Sequence, residues 1–236
     1  MNTPLDCTIA QNAYGSYCIP KTMLGQPVIN ELMHVAVYEA HTIGYILDNC
    51  GTGTIVHAGA FVGDMLPAIS SMKNLVLAFE PSIVSFRCAQ ITLQLNFQEY
   101  EHRTELQNKG LGVEFTSDIP LVSMRDGVKP LGGESRILQH IGNTPEEFLE
   151  YIDITTIDHE VPVHDDVSVI HLDIEGYEEK ALMGAKKTLQ DSRPMLILEI
   201  ASEQYIETPF YDDFIFGELG YREVERHRGN RIYIVP

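Results

Sequence analysis

Apolar residues fall along the chain in short continuous runs separated by amphipathic stretches. Thr54–Ala58 is β-branched and apolar, and Leu75–Phe79, Val167–Asp173 and Met195–Ile200 repeat the pattern. Runs of that length, bounded by glycine, proline or charged residues, are expected of strands buried on both faces. Between them lie helical stretches, about Asp64 to Met72, Ser82 to Asn96, Glu178 to Leu189 and Phe210 to Leu219. Thr104–Asn108 reads as a further strand, Val113–Phe115 as a short extra one and Asp153–Asp158 as a strand or strand edge. Strands alternating with helices predict a parallel sheet covered on both faces. Tyr221–Arg226 and Arg231–Val235 flank Gly229-Asn230, which predicts a closing hairpin. The expected fold is therefore α/β, doubly wound, with a mostly parallel seven-stranded sheet and a C-terminal antiparallel hairpin, all in one domain over 1–236.

Two segments break this rhythm. Residues 1–50 read as an N-terminal cap, with Tyr14–Pro20 turn-rich and extended, a helix from Val28 to Ala36 and another around Tyr45–Leu47. Glu39–Thr42 lies between those helices. Residues 116–150 are punctuated by Pro120, Pro130, Gly132-Gly133 and Pro145, with a short helix expected at Pro145–Tyr151. A long irregular insertion inside a compact domain is usually functional, and this one is expected on the substrate side.

Composition narrows the function classes. Sixteen basic against 34 acidic residues give a net charge of −18. Nucleic-acid binding needs the opposite balance, so no nucleic-acid partner is expected. No run approaches the roughly 18 apolar residues of a membrane span, and the first residues lack the basic and apolar regions of a signal peptide. The expectation is a soluble cytoplasmic protein. Its oligomeric state stays open, a homodimer included. Cys7, Cys18, Cys50 and Cys88 show no C-x-x-C spacing and read as core thiols rather than a zinc site or disulfide framework.

Candidate chemistry gathers at predicted strand ends, where open α/β sheets bind ligands. Thr54–Asp64 passes from a strand through Gly59 and Gly63 toward a helix, a layout that offers backbone N–H groups to a nucleotide-like ligand. Glu80 ends the next strand, 17 residues beyond Gly63, where a carboxylate can accept from both hydroxyls of a ribose. Asp173 and Glu175 close a later strand before Gly176. Two residues apart in extended backbone, they would share a face, able to orient a hydroxyl, take its proton or hold a metal. Glu199 ends another strand, and together with Asp173 and Glu175 it could ligate a divalent ion, although nothing requires one. His57 and His171 sit near strand ends on the same edge, and His57 is expected to face the cofactor or the acceptor.

At this point the chain resembles the FkbM-type S-adenosylmethionine-dependent methyltransferases, whose sheet ends in the antiparallel strand of the class I methyltransferase fold. Ile55–Asp64 resembles the family's first cofactor motif, Ala78-Phe-Glu-Pro81 its A-F-E-P, and Asn108–Gly112 its N-K-A-L step near the adenine. Ile170–Glu178 resembles the signature K-I-D-V-E-G-x-E, and Arg193–Glu199 resembles R-P-x-x-x-x-E. His57 departs from the usual Asp, Phe61 from a common Asn and His171 from the usual Lys. The resemblance implies methyl transfer to a hydroxyl of a sugar, glycan or secondary metabolite, with S-adenosylhomocysteine as product. The implied cofactor residues are Glu39, His57, Gly59, Ala60, Phe61, Gly63, Asp64, Glu80, Pro81, Asn108 and Asp173. Asp173 is expected as base or orienting carboxylate, followed by His57 and His171, with Ser135, Glu175 and Glu199 on the acceptor. Two alternatives stay open. A nicotinamide-dependent oxidoreductase would also use Glu80 but lacks a third glycine, and a non-catalytic binding module would keep the fold alone.

Overall fold

The computed structural model describes residues 5–96, 103–125, 129–138 and 140–236; the remaining parts of the expected N-terminal cap and of the 116–150 insertion lie outside the described residues. In chain order, the first half comprises β1 (Cys7–Asn12), β2 (Gly15–Pro20), α1 (Pro27–Met33), α2 (Ala40–Asn49), β3 (Thr54–Ala58), α3 (Leu66–Ser70), β4 (Val76–Phe79), α4 (Ile83–Leu95) and β5 (Thr104–Gln107). The short strands β6 (Gly110–Leu111), β7 (Thr116–Val122), β8 (Arg136–Ile137) and β9 (Leu149–Thr155) follow. The second half adds α5 (Ile157–Glu160), β10 (Val167–Leu172), α6 (Glu178–Met183), α7 (Lys186–Ser192), β11 (Met195–Glu199), a π-helix (Phe210–Glu218), β12 (Arg222–His227) and β13 (Asn230–Ile234).

The main sheet has seven strands in the order β12-β13-β11-β10-β3-β4-β5. β11, β10, β3, β4 and β5 run parallel, and β13 pairs antiparallel with both β11 and β12. The central strands are apolar on both faces because helices cover both: every residue of β3 and β4 is buried. One core cluster joins Val56, Leu77, Ile170 and Leu198 to Tyr211 and Tyr221, and a second joins Ile55, Val76, Val169 and Ile197 to α2 and α3. Strand order reverses between β3 and β10. After β3 the chain builds outward through β4 and β5, and after β10 it builds the other way through β11. Such a switch point leaves a crevice at the carboxyl ends of the two strands.

Several predicted elements differ in the structure, each for a local reason. The expected helix over 64–72 shortens to α3, because the turn at Gly63 carries through Asp64 and Met65. The stretch expected as one helix over 178–189 divides into α6 and α7 at Gly184. A Cβ there would lie 2.0 Å from the carbonyl oxygen of Gly112, so that close approach requires the glycine. Val113–Phe115 is a bend rather than a strand. Pro145–Tyr151 is not a helix: a single 3-10 turn at Glu146–Phe148 leads straight into β9.

The largest difference lies in 116–150, expected as irregular. Much of it folds into a second sheet of four strands, ordered β6-β9-β7-β8 and packed around Leu121, Ile152 and Ile154. A register shift between Thr116 and Ile119, with Asp118 at φ 59°, hides the alternation of β7 from a period-two reading. The N-terminal cap is likewise more ordered than expected. β1 and β2 form an antiparallel hairpin tied to α4, where Asn96 accepts from the Ser16 amide and donates to its carbonyl.

Candidate active site

A cleft enclosing about 1140 Å³ of free space, part of it open to solvent, lies over the β3–β10 switch point. Gly59 leaves β3 and Asp173 leaves β10 side by side: the Asp173 amide donates to the Ala58 carbonyl at 3.1 Å. A Cβ on Gly59 would come within 1.9 Å of the Asp173 carbonyl oxygen, and its φ is +86°, so this crossing admits only glycine. Gly63 serves packing instead, since a Cβ there would press on Thr92 and Ala89 of α4.

Glu80 follows β4 and braces the glycine loop. Its Oε2 accepts from the Phe61 amide and its Oε1 from the Ser82 amide, both at 2.8 Å. The residue is 6% exposed, and burial pushes its carboxyl up to about 8 against the pull of those two amides. Phe61, so held, has φ 45°. That region costs a bulky side chain on the order of 1–3 kcal/mol and persists only where surrounding contacts enforce it. The same conformation explains why Asn suits this position, its short side chain tolerating left-handed backbone.

Asp173, Glu175 and Glu199 place carboxylate oxygens all within 4.8 Å of one another. They do not meet by strand alternation, because β10 ends at Leu172 and Glu175 sits in a turn at φ 55°. Burial, a hydrogen bond with Glu199 and neighbouring acids hold the Asp173 carboxyl well above the usual carboxylate range. Burial and the nearby Glu199 charge also push Glu175 up to about 7.

The expected site residues divide into two groups. Gly59, Phe61, Asp64, Glu80, Pro81, Asp173, Ser135, Glu175 and Glu199 all line the cleft. Five others expected to touch the cofactor are not among the lining residues: Glu39, His57, Ala60, Gly63 and Asn108. The Asn108 carboxamide donates to the carbonyls of Glu80 and Pro81 at 2.9 and 2.8 Å, so it shapes the turn behind the cleft. The Glu39 carboxylate accepts from Thr42 and Asn230 at the start of α2. Ser135 spends its hydroxyl on the Gly132 carbonyl, closing its own turn.

His57 and His171 are the clearest correction. They are register partners on β3 and β10, each 1% exposed, and their rings stack at 4.9 Å with Nδ1 to Nδ1 at 2.8 Å. Neither is among the residues that line the cleft. Burial lowers both imidazoles, His171 to about 4 and His57 well below its usual value, so both rings are neutral near pH 7. One Nδ1 must then donate and the other accept, and the two rings adopt different tautomers. Both Nε2 atoms are buried without a partner. The pair bolts the two strands together one residue before their ends reach the cleft.

Residues that sequence reasoning missed come mostly from the flanks of the main sheet. Tyr38, Gln26 and Val28 line the cleft from the N-terminal segment, and Leu121, Leu131 and Ile137 from the second sheet. Burial and the charges of Glu39, Asp173, Asp64 and Glu199 raise the Tyr38 phenol, which places it among these carboxylates. The signal for Tyr38 is its position directly before Glu39.

The family described as Methyltransferase FkbM domain matches residues 57–231. No curated protein matches the chain. Among solved structures, a methyltransferase FkbM from Methylobacillus flagellatus KT aligns at 17% identity with a TM-score of 0.52, covering 88% of this chain and 52% of that one. The chain thus spans about half the length of that protein. A tRNA (uracil-54, C5)-methyltransferase from Pyrococcus abyssi, in complex with S-adenosyl-L-homocysteine, aligns at 12% identity and a TM-score of 0.48, covering 97% and 43%. A magnesium protoporphyrin IX methyltransferase from Synechocystis PCC 6803, with bound SAM, aligns at 12% identity and a TM-score of 0.43, covering 82% and 74%. Among the described residues no helix is long and apolar enough to cross a membrane.

Proposed function

The chain belongs to the FkbM methyltransferase family, and from that premise we propose that it is an S-adenosylmethionine-dependent O-methyltransferase acting on a hydroxyl of a sugar, glycan or secondary metabolite. The observation that carries the cofactor is the Glu80 carboxylate, buried at the cleft and held by the Phe61 and Ser82 amides. Those two bonds fix both oxygens beside the glycine loop and leave lone pairs for ribose hydroxyls. Phe61, Asp64, Pro81 and the Gly59 crossing complete the cradle, while Asn108, Gly63 and the His57–His171 pair keep it in shape.

Bound S-adenosylmethionine supplies a methyl group on a sulfonium, a strong electrophile with a neutral leaving group. The protein's task is to hold the acceptor oxygen in line and to remove its proton. Asp173 is the base: it ends β10 at the switch point, and its raised pKa brings its basicity closer to the acceptor's than an ordinary carboxylate. Glu175 and Glu199 orient the acceptor beside it. Leu121, Leu131 and Ile137 form the apolar wall that shields the reacting groups from water.

Incubating the protein with methyl-labelled S-adenosylmethionine and a panel of glycans and polyhydroxylated metabolites tests the reading. Label is expected on an oxygen of at least one acceptor class. Label found only on nitrogen or carbon would refute the O-methyl assignment.

A further inference from the structure

The second sheet walls more than the catalytic cleft. Leu121 of β7 and Ile137 of β8 are register partners, and both line that cleft. Their neighbours Val122 and Arg136 are register partners too, and both line a second hollow. Successive side chains along a strand take opposite faces, so one ribbon serves both sites. The second hollow encloses about 860 Å³ of free space, part of it open to solvent. Leu131 lines both hollows, so the two adjoin there.

Their charge differs. None of the described residues lining the second hollow is acidic, although the chain carries 34 acids against 16 bases. Arg125 and Arg136 line it, together with Asn143 and the apolar Val122, Leu138 and Phe148. Arg136 has no ion-pair partner among the described residues. Arg125 is paired with Glu134 at 2.6 Å, but both side chains are more than half exposed, and such a pair is weak enough to exchange for a better anion. The charge of Arg136 also acts on Glu175, opposing the burial and the neighbouring acids that raise that carboxyl. Its field therefore reaches the acceptor side of the catalytic cleft.

Resting on the methyltransferase reading, we propose that the second hollow is an acceptor subsite for a phosphate ester: a sugar hydroxyl is presented to Asp173 while a phosphate on the same molecule is held by Arg125 and Arg136. A phosphate brings three acceptor oxygens and roughly two negative charges, enough for two guanidinium forks and a neutral donor such as the Asn143 carboxamide. A carboxylate has two oxygens, which one guanidinium fork satisfies. Burial raises the carboxyls of Glu80 and Glu175, to about 8 and about 7, so the adjoining cleft repels an anion less than its number of acids suggests.

The test is calorimetry on the whole protein loaded with S-adenosylhomocysteine and titrated with glucose 1-phosphate, glucose 6-phosphate, methyl glucoside and methyl glucuronide. The better of the two phosphates is expected to bind on the order of tenfold tighter than methyl glucoside, the size of one charge-assisted hydrogen bond. The glucuronide is expected to fall between them, and the phosphate gain shrinks with added salt. Arg136→Gln is expected to lose most of that gain and Arg125→Gln part of it. Affinity for S-adenosylhomocysteine stays unchanged in both variants, because neither residue lines the catalytic cleft. Equal binding of phosphorylated and neutral sugars, no binding of either phosphate, or a gain that survives in both variants overturns the proposal. A glucuronide that matches the better phosphate overturns the phosphate assignment. Failure of S-adenosylhomocysteine itself to bind overturns the methyltransferase reading instead, and the phosphate gain, read on the unloaded protein and its arginine variants, then decides the subsite separately.

Discussion

Replacing Asp173 by Asn is expected to lower methyl transfer by about 10²–10⁴-fold, the usual contribution of a positioned general base. Asn keeps the size of the side chain, and the backbone bond from the Asp173 amide to Ala58 is untouched, so the Gly59 crossing survives. What disappears is the proton-accepting carboxylate oxygen of Asp173. The loss is expected in kcat, with a smaller change in cofactor affinity. The pH profile separates this role from a purely structural one. Burial and Glu199 raise the Asp173 pKa, so the carboxylate is present above that raised value and is lost as the pH falls through it. Wild-type kcat should therefore fall on the acid side, and Asp173→Asn should lack that limb. Undiminished kcat in the variant would remove Asp173 from the chemistry.

Above about pH 8, where the Glu80 carboxyl is ionised, Glu80→Ala is expected to weaken binding of S-adenosylhomocysteine by roughly ten- to a hundredfold, because a hydrogen bond to a charged group contributes about 1.5–3 kcal/mol. Two effects add. The ribose loses its acceptor, and the Phe61 and Ser82 amides lose the oxygens 2.8 Å away that hold them. Without that bond, nothing among the described hydrogen bonds keeps the Phe61 amide turned inward at φ 45°. Glu80→Gln separates the contributions. Its carbonyl oxygen can keep one amide, while its NH₂ faces the other donor, so an intermediate loss is expected. Isothermal calorimetry reads all three proteins, and unchanged affinity in Glu80→Ala would remove Glu80 from the cofactor site.

Much of this cleft was legible in the sequence because buried parallel strands write themselves as apolar runs. Thr54–Ala58 and Val167–Leu172 are such runs, and the residues that follow them, Gly59 and Asp173, are the ones that meet at the switch point. Glu80 was visible for the same reason, as the first acid after a buried strand. The second sheet was not, since Pro120 and the bulge at Asp118 break the alternation in β7, and β8 is two residues long. Nor was the direction of His57 legible. A histidine near a strand end reads as a ligand-edge group, and only the pairing of β3 with β10 shows that its partner is His171 in the same buried layer. Tyr38 stayed hidden because the N-terminal segment reaches the cleft by tertiary packing, which local spacing does not encode.

Whether this cleft is an S-adenosylmethionine site is decided by calorimetric titration of the purified protein, freed of bound nucleotide, with S-adenosylhomocysteine and separately with NADH. Saturable binding of one S-adenosylhomocysteine per chain, with no heat from NADH, is the predicted result. Binding of NADH, or no binding of S-adenosylhomocysteine at millimolar concentration, would contradict it.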